Sequence, residues 1–113
     1  MNQLFSGRHL PAVFGEWVAA ISNASMYTYE MAPLATHIEK ALIQKMGQLA
    51  GFKRIDGQFV TGGSNANMIA MLCARHKQFP QLKETGASSL APLSAFVSED
   101  SHYSFGKAAL TLG

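Results

Sequence analysis

The sequence predicts an α/β fold with a mostly parallel sheet. Apolar residues recur at helical spacing in several segments, short apolar runs lie between them, and one run meets paired glycines at the mouth of a helix. Strand-like segments alternating with helix-like ones are the pattern of a parallel sheet covered by helices.

The elements follow in order. Pro11 introduces "AVFGEWVAAISNAS", a helix with Phe14, Trp17, Val18 and Ile21 on one side. "MYTYEMAP" is aromatic-rich and expected to be extended. Pro33 suits the first turn of the next helix, where the N–H that proline lacks would have no partner. Leu34, Ile38, Leu42, Met46 and Leu49 form its apolar stripe, and Gly51 is its expected stop. "FKRIDGQFV" carries an Asp-Gly turn signal and reads as a short hairpin. The helix from Ser64 to Phe79 carries Met68, Ile69, Met71, Leu72 and Cys73 around well over half its circumference, so burial on more than one side is expected. Pro80 closes it. "QLKETGASSLAP" reads as a surface connection, "LSAFVS" as an inner strand, "EDSHYS" as a loop and "YSFGKAALTLG" as a last helix.

A chain of 113 residues allows one domain at most, residues 1–113. Apolar residues make up 48% of it and charged residues only 14%, against about 25% charged in an average domain. So small a chain has much surface for its volume and should need more charge, not less. Much of its surface is therefore expected to be buried against more of the same polypeptide, a partner subunit, or both. The chain opens without a visible first element and stops as its last helix ends, so a piece of a longer protein is expected. The net charge of +2 comes without a run of Lys or Arg, which argues against a nucleic-acid surface. No apolar run approaches a membrane span, and no signal-peptide core opens the chain, so a cytoplasmic location is expected. Cys73, the single cysteine, excludes an internal disulfide and CxxC pairs, and its apolar neighbours predict a buried thiol. His9, His37, His76 and His102 lack metal-ligand spacing, so no metal is expected.

The chemistry concentrates at "GQFVTGGSNANMIAMLCARHK". A helix N-terminus offers unpaired N–H groups and partial positive charge, and glycines before it let an anion reach the backbone. Gly63, Ser64 and Asn65 therefore suit a phosphate, the side chains of Ser64 and Asn65 adding donors. A tight strand-to-helix turn with Ser64 as ordinary N-cap is the alternative. No lysine follows Gly63 as Walker A requires, and the GxGxxG spacing also fails. "GGSNA" approximates the nucleophile elbow of hydrolases, with Ser64 as nucleophile and His102 available as base. Asp100 lies on the same loop as His102, however, whereas that arrangement takes its acid from a separate, earlier loop.

"NQLFSG", "GEWVAAISNASMYTYEMAP", "DGQFVTGGSNANMIAMLCAR", "FP" followed by "LK", and "FVSEDSHYSFGKAA" occur in this order and at spacing that resembles the pyridoxal-phosphate-dependent decarboxylases of the glutamate decarboxylase group. The glutamate, aspartate and cysteine-sulfinate enzymes look alike over this region. The resemblance implies the early part of the large domain of an aspartate-aminotransferase-type (fold type I) protein. It implies pyridoxal 5′-phosphate as cofactor, a homodimer, and decarboxylation of an acidic amino acid. By resemblance the phosphate turn falls on Gly63, Ser64 and Asn65, and the ring-stacking histidine on His102. The strip lining the substrate pocket falls on "NQLFSG", making Gln3 and Ser6 candidates to recognise a side-chain carboxylate. Tyr27, Tyr29 and Glu30 are expected to serve packing.

The reaction also needs a Schiff-base lysine and a carboxylate at the pyridine nitrogen. "His76-Lys77" has the look of the family's lysine segment, but Lys77 lies along the same helix, roughly 18 Å beyond Asn65. Asp100 falls in the ring-stacking segment. Both missing groups are implied to lie outside this chain, so residues 1–113 are expected to bind the cofactor weakly or not at all and to be inactive alone. The non-enzyme alternative is a short binding or regulatory partner of a full-length paralogue, or a decayed gene product.

Overall fold

The structure is a computed structural model that describes residues 7–86 and 91–113. Its described residues form helices α1 (Leu10–Ser22), α2 (Pro33–Leu49), α3 (Gly62–Gln78), α4 (Leu82–Thr85) and α5 (Ser104–Leu112), with no strand among them. They divide into two compact units, meeting in sequence between Gln58 and Phe59.

In the first unit, α1 carries Pro11 in its first turn and ends on Asn23, whose left-handed backbone (φ 42°) lets its N–H close on the Ala19 carbonyl. Phe14 and Trp17 meet edge to face at 5.3 Å. The segment expected to be extended instead turns: the Ala32 N–H reaches the Thr28 carbonyl, and the Thr28 hydroxyl accepts from the Met31 N–H. A threonine side chain that bonds the backbone a few residues on favours a turn over an extended run. Pro33 then opens α2 as expected.

The end of α2 shows why its sequence stops there. Gly51 takes φ +80°, its N–H donates to the Gln48 carbonyl, and the Phe52 N–H donates back to Gly47. These are the paired bonds of a Schellman stop. The chain then runs back along α2 instead of forming a hairpin. Gln44 donates its side-chain amide to the Ile55 carbonyl at 3.1 Å, and Ile55 lies on buried Gly47. A Cβ at Gly47 would stand 2.5 Å from Ile55 Cγ2. The Asp-Gly signal is spent locally, with Asp56 Oδ1 accepting from the Gly57 N–H.

In the second unit, α3 and α5 pack together. Asn67 donates to Ser104 Oγ at 2.8 Å, and Arg75 donates to the Leu112 carbonyl. Both bonds span 37 positions, so the two helices run side by side in the same direction. Ser104 and Ala108, one turn apart, are the buried residues of α5. Along α3, half-buried Asn67, Met68, Met71 and Arg75 form a single stripe.

Three expectations for this unit do not hold among the described residues. No residue of α3 is fully buried, and Cys73 is exposed, since among the described residues the main helix contact of α3 is with α5 along one side. "LSAFVS" forms no strand, and Phe96 is 95% exposed. An inner strand takes its hydrogen bonds and burial from strands on either side, and the described residues include no strand to pair with this one. The charge-poor composition does show at the surface of the described residues. Ala32 and Ala108 are the buried apolar residues, while Trp17, Ile38, Leu42, Met46 and Leu110 lie exposed.

Candidate functional site

Gly62 starts α3 with φ +80°, a conformation that favours glycine, and its N–H closes on the Val60 carbonyl. A Cβ on Gly62 or on Gly63 would meet nothing within 4 Å, so the mouth of the helix is open. Thr61, not Ser64, occupies the N-cap position, which places Ser64 in the first turn. Thr61 makes no capping bond from its side chain to the backbone. Its hydroxyl instead accepts from the Asn65 side-chain amide at 3.1 Å, so Asn65 braces the turn. The early N–H groups of α3 lack intrahelical partners and sit at the positive end of the helix dipole.

The other half of the site is the loop before α5. The Ser104 backbone N–H donates to His102 Nδ1 at 3.2 Å, and Ser104 Oγ lies 2.8 Å from the same nitrogen. The Tyr103 ring lies 4.2 Å from the imidazole, tilted by 34°. Lys107 in turn places its ammonium 4.6 Å from the centre of the Tyr103 ring. The Asn67–Ser104 bond ties this loop to α3 one helical turn in from Gly63. The structure thus brings the glycine turn and His102 into one unit.

Ser64 makes no hydrogen bond with His102, whose Nδ1 is taken by Ser104, so the nucleophile arrangement is not assembled. Lys77 lies near the far end of the continuous helix α3. Gln3 and Ser6 lie outside the described residues. No group of three His, Cys, Asp or Glu side chains forms a metal site among the described residues, and no described helix is long and apolar enough to cross a membrane. Sequence reading missed Asn67 and Ser104. The only signal for them was that both are small polar residues facing helices that are otherwise apolar.

The comparisons with known proteins agree with one another. The family model described as "Pyridoxal-dependent decarboxylase conserved domain" matches residues 1–113. Cysteine sulfinic acid decarboxylase of Mus musculus is 42% identical over 112 residues, covering 99% of this chain and 23% of the mouse protein. The crystal structure of mouse CSAD in apo form superposes with a TM-score of 0.92 at 42% identity, covering 99% of this chain and 24% of the mouse chain. A second crystal structure of mouse CSAD gives the same values. The chain therefore spans about a quarter of the length of these relatives, and the family implies pyridoxal 5′-phosphate as its cofactor. With the model matched from end to end, the chain belongs to the pyridoxal-dependent decarboxylase family.

Proposed function

We propose that residues 1–113 supply the phosphate anchor and the ring-stacking histidine of a pyridoxal-phosphate-dependent decarboxylase acting on an acidic amino acid. One observation carries the reading: the open glycine turn of α3 and the His102 imidazole share a helix pair, joined through Asn67 and Ser104. The residues fit the cofactor's two ends. First-turn N–H groups and the Ser64 hydroxyl suit a dianionic phosphate, which Gly62 and Gly63 leave room to approach. Asn65 holds that turn in shape through Thr61. His102 offers a flat ring, braced on its Tyr103 side, to lie against a pyridine.

When bound, pyridoxal phosphate supplies the electron sink for breaking the bond to the departing carboxylate. These residues bind and orient it. Gln3 and Ser6 are proposed to recognise the substrate's side-chain acid. Cysteine sulfinate stands with glutamate and aspartate among the candidate substrates, since the mouse relative is a cysteine sulfinic acid decarboxylase. Glutamate and aspartate differ by one methylene, which a pocket discriminates by only about 1–3 kcal/mol.

The finer fold reading, an α/β large domain of fold type I, is supported by the direction of the helices. Two helices of one chain that pack side by side and run the same way, as α3 and α5 do, need a segment returning between them, and "LSAFVS" lies in that stretch. The exposed apolar faces of α1 and α2 suit burial in a larger assembly, including a homodimer. A cytoplasmic location and the absence of membrane or nucleic-acid partners belong to the same reading.

The test uses the polypeptide encoded by the full reading frame containing residues 1–113. It is incubated with pyridoxal phosphate and, separately, glutamate, aspartate and cysteine sulfinate, while carbon dioxide release is followed. Release from one acid supports the reading and names the substrate. Bound cofactor without release from any of the three rejects the reaction while leaving the anchor.

A further inference from the structure

The tautomer of His102 is fixed by its neighbours. The Ser104 backbone N–H donates to Nδ1, so a proton on that nitrogen would oppose another proton. The neutral ring therefore carries its proton on Nε2. Ser104 Oγ accepts from the Asn67 amide at 2.8 Å, which leaves the hydroxyl proton to be donated to Nδ1, also at 2.8 Å. Ser104 is only 2% exposed, so water does not compete for this hydroxyl. The chain of donors runs one way, from Asn67 through Ser104 to His102. At its end, the Nε2–H has no acceptor among the described residues.

We propose that Asn67 and Ser104 are positioning residues for His102, holding its imidazole as the Nε2–H tautomer so that a donor, not a lone pair, faces an anionic group of the substrate. Neither residue touches substrate or cofactor in this scheme. Asn67 orients the Ser104 hydroxyl, and Ser104 orients the ring. The proposal deepens the function set out above and rests on it for the identity of the substrate, but the relay itself stands on these bonds alone.

The test is nitrogen-15 spectroscopy of histidine-labelled protein from the full reading frame, in mildly alkaline buffer where free imidazole is neutral. The expected spectrum has His102 Nδ1 in the unprotonated range and Nε2 in the protonated range. Asn67→Asp reverses the relay. The introduced carboxylate accepts the hydrogen bond of the Ser104 hydroxyl, Oγ turns a lone pair toward the ring, and the Nδ1–H form gains population against the Ser104 backbone N–H that still favours Nε2–H. Should that variant not fold by circular dichroism, Ser104→Ala replaces it, and Nδ1, left with the backbone N–H as its one donor, should move toward the range of a more weakly bonded, unprotonated nitrogen. A protonated Nδ1 in the unsubstituted protein, or folded variants whose His102 signals do not move, would overturn the proposal. Titrating the same samples with pyridoxal phosphate reads the underlying function separately. Expected tautomers in a protein that binds no cofactor would uphold the relay and reject the cofactor role.

Discussion

Arg75 donates to the carbonyl of Leu112 at the same 37-position separation that joins Asn67 to Ser104. Leu112 ends α5, where the last carbonyls have no partner within the helix, and a guanidinium satisfies one of them while opposing the negative end of the dipole. Together the two bonds fix the register of α3 against α5 at both ends. Since His102 leads into α5 and the glycine turn leads α3, the same register sets the site.

Arg75→Ala should therefore weaken the second unit by about 1.5–3 kcal/mol, the scale of a hydrogen bond from a charged group. Arg75→Lys should recover part of the loss, because it keeps the charge near the helix end. Urea unfolding followed by circular dichroism reads both. Equal midpoints for Arg75→Ala and the unsubstituted protein would remove the register argument.

Gly47→Ala should be destabilising although alanine is the better helix former. The gain of about 1 kcal/mol in propensity is set against a Cβ 2.5 Å from Ile55, whose branched side chain has little freedom to move away. Overpacking of this kind costs about 1–3 kcal/mol. The sign should reverse in an Ile55→Ala background, where the obstructing atoms are gone. A double-mutant cycle by urea unfolding measures the coupling.

Neighbouring glycines at the mouth of α3 should behave oppositely. Gly62→Ala forces a side chain into φ +80° and should cost about 1–2 kcal/mol. Gly63→Ala meets open space and should leave stability unchanged or slightly raised, yet crowd the anion's approach. Thermal unfolding separates the first effect from the second, which appears as weaker pyridoxal phosphate binding by the full-frame protein. Tighter binding by Gly63→Ala would count against the anchor.

His102→Ala should weaken cofactor binding by roughly 2- to 10-fold, corresponding to the 0.5–1.5 kcal/mol of an aromatic pair. His102→Phe keeps a flat ring and should retain most of the affinity while losing turnover, because it has no N–H to offer. Absorbance titration and carbon dioxide release report the two quantities. Equal affinity losses for both variants would point away from stacking.

Much of the fold was legible in the sequence because it depends on local chemistry. Pro33 and Gly51 bounded α2, the apolar spacing located α1 and α3, and "EDSHYS" read as the loop before α5. The two failures at hairpin and strand share one cause. A strand is made by the neighbour that completes its hydrogen bonds, and nothing local in "FKRIDGQFV" or "LSAFVS" says whether one is present. The reading of Cys73 failed for the same reason: apolar neighbours in sequence measure the tendency to be buried, not what covers the residue.

At the site, local chemistry in the sequence singled out Gly63, Ser64 and Asn65 as a turn suited to a phosphate, and the family resemblance singled out His102. Only the tertiary structure decided the hydrogen bonds around His102, on which its proposed tautomer rests. That depends on Asn67 meeting Ser104 across 37 positions, a contact set by two helices packing in one register.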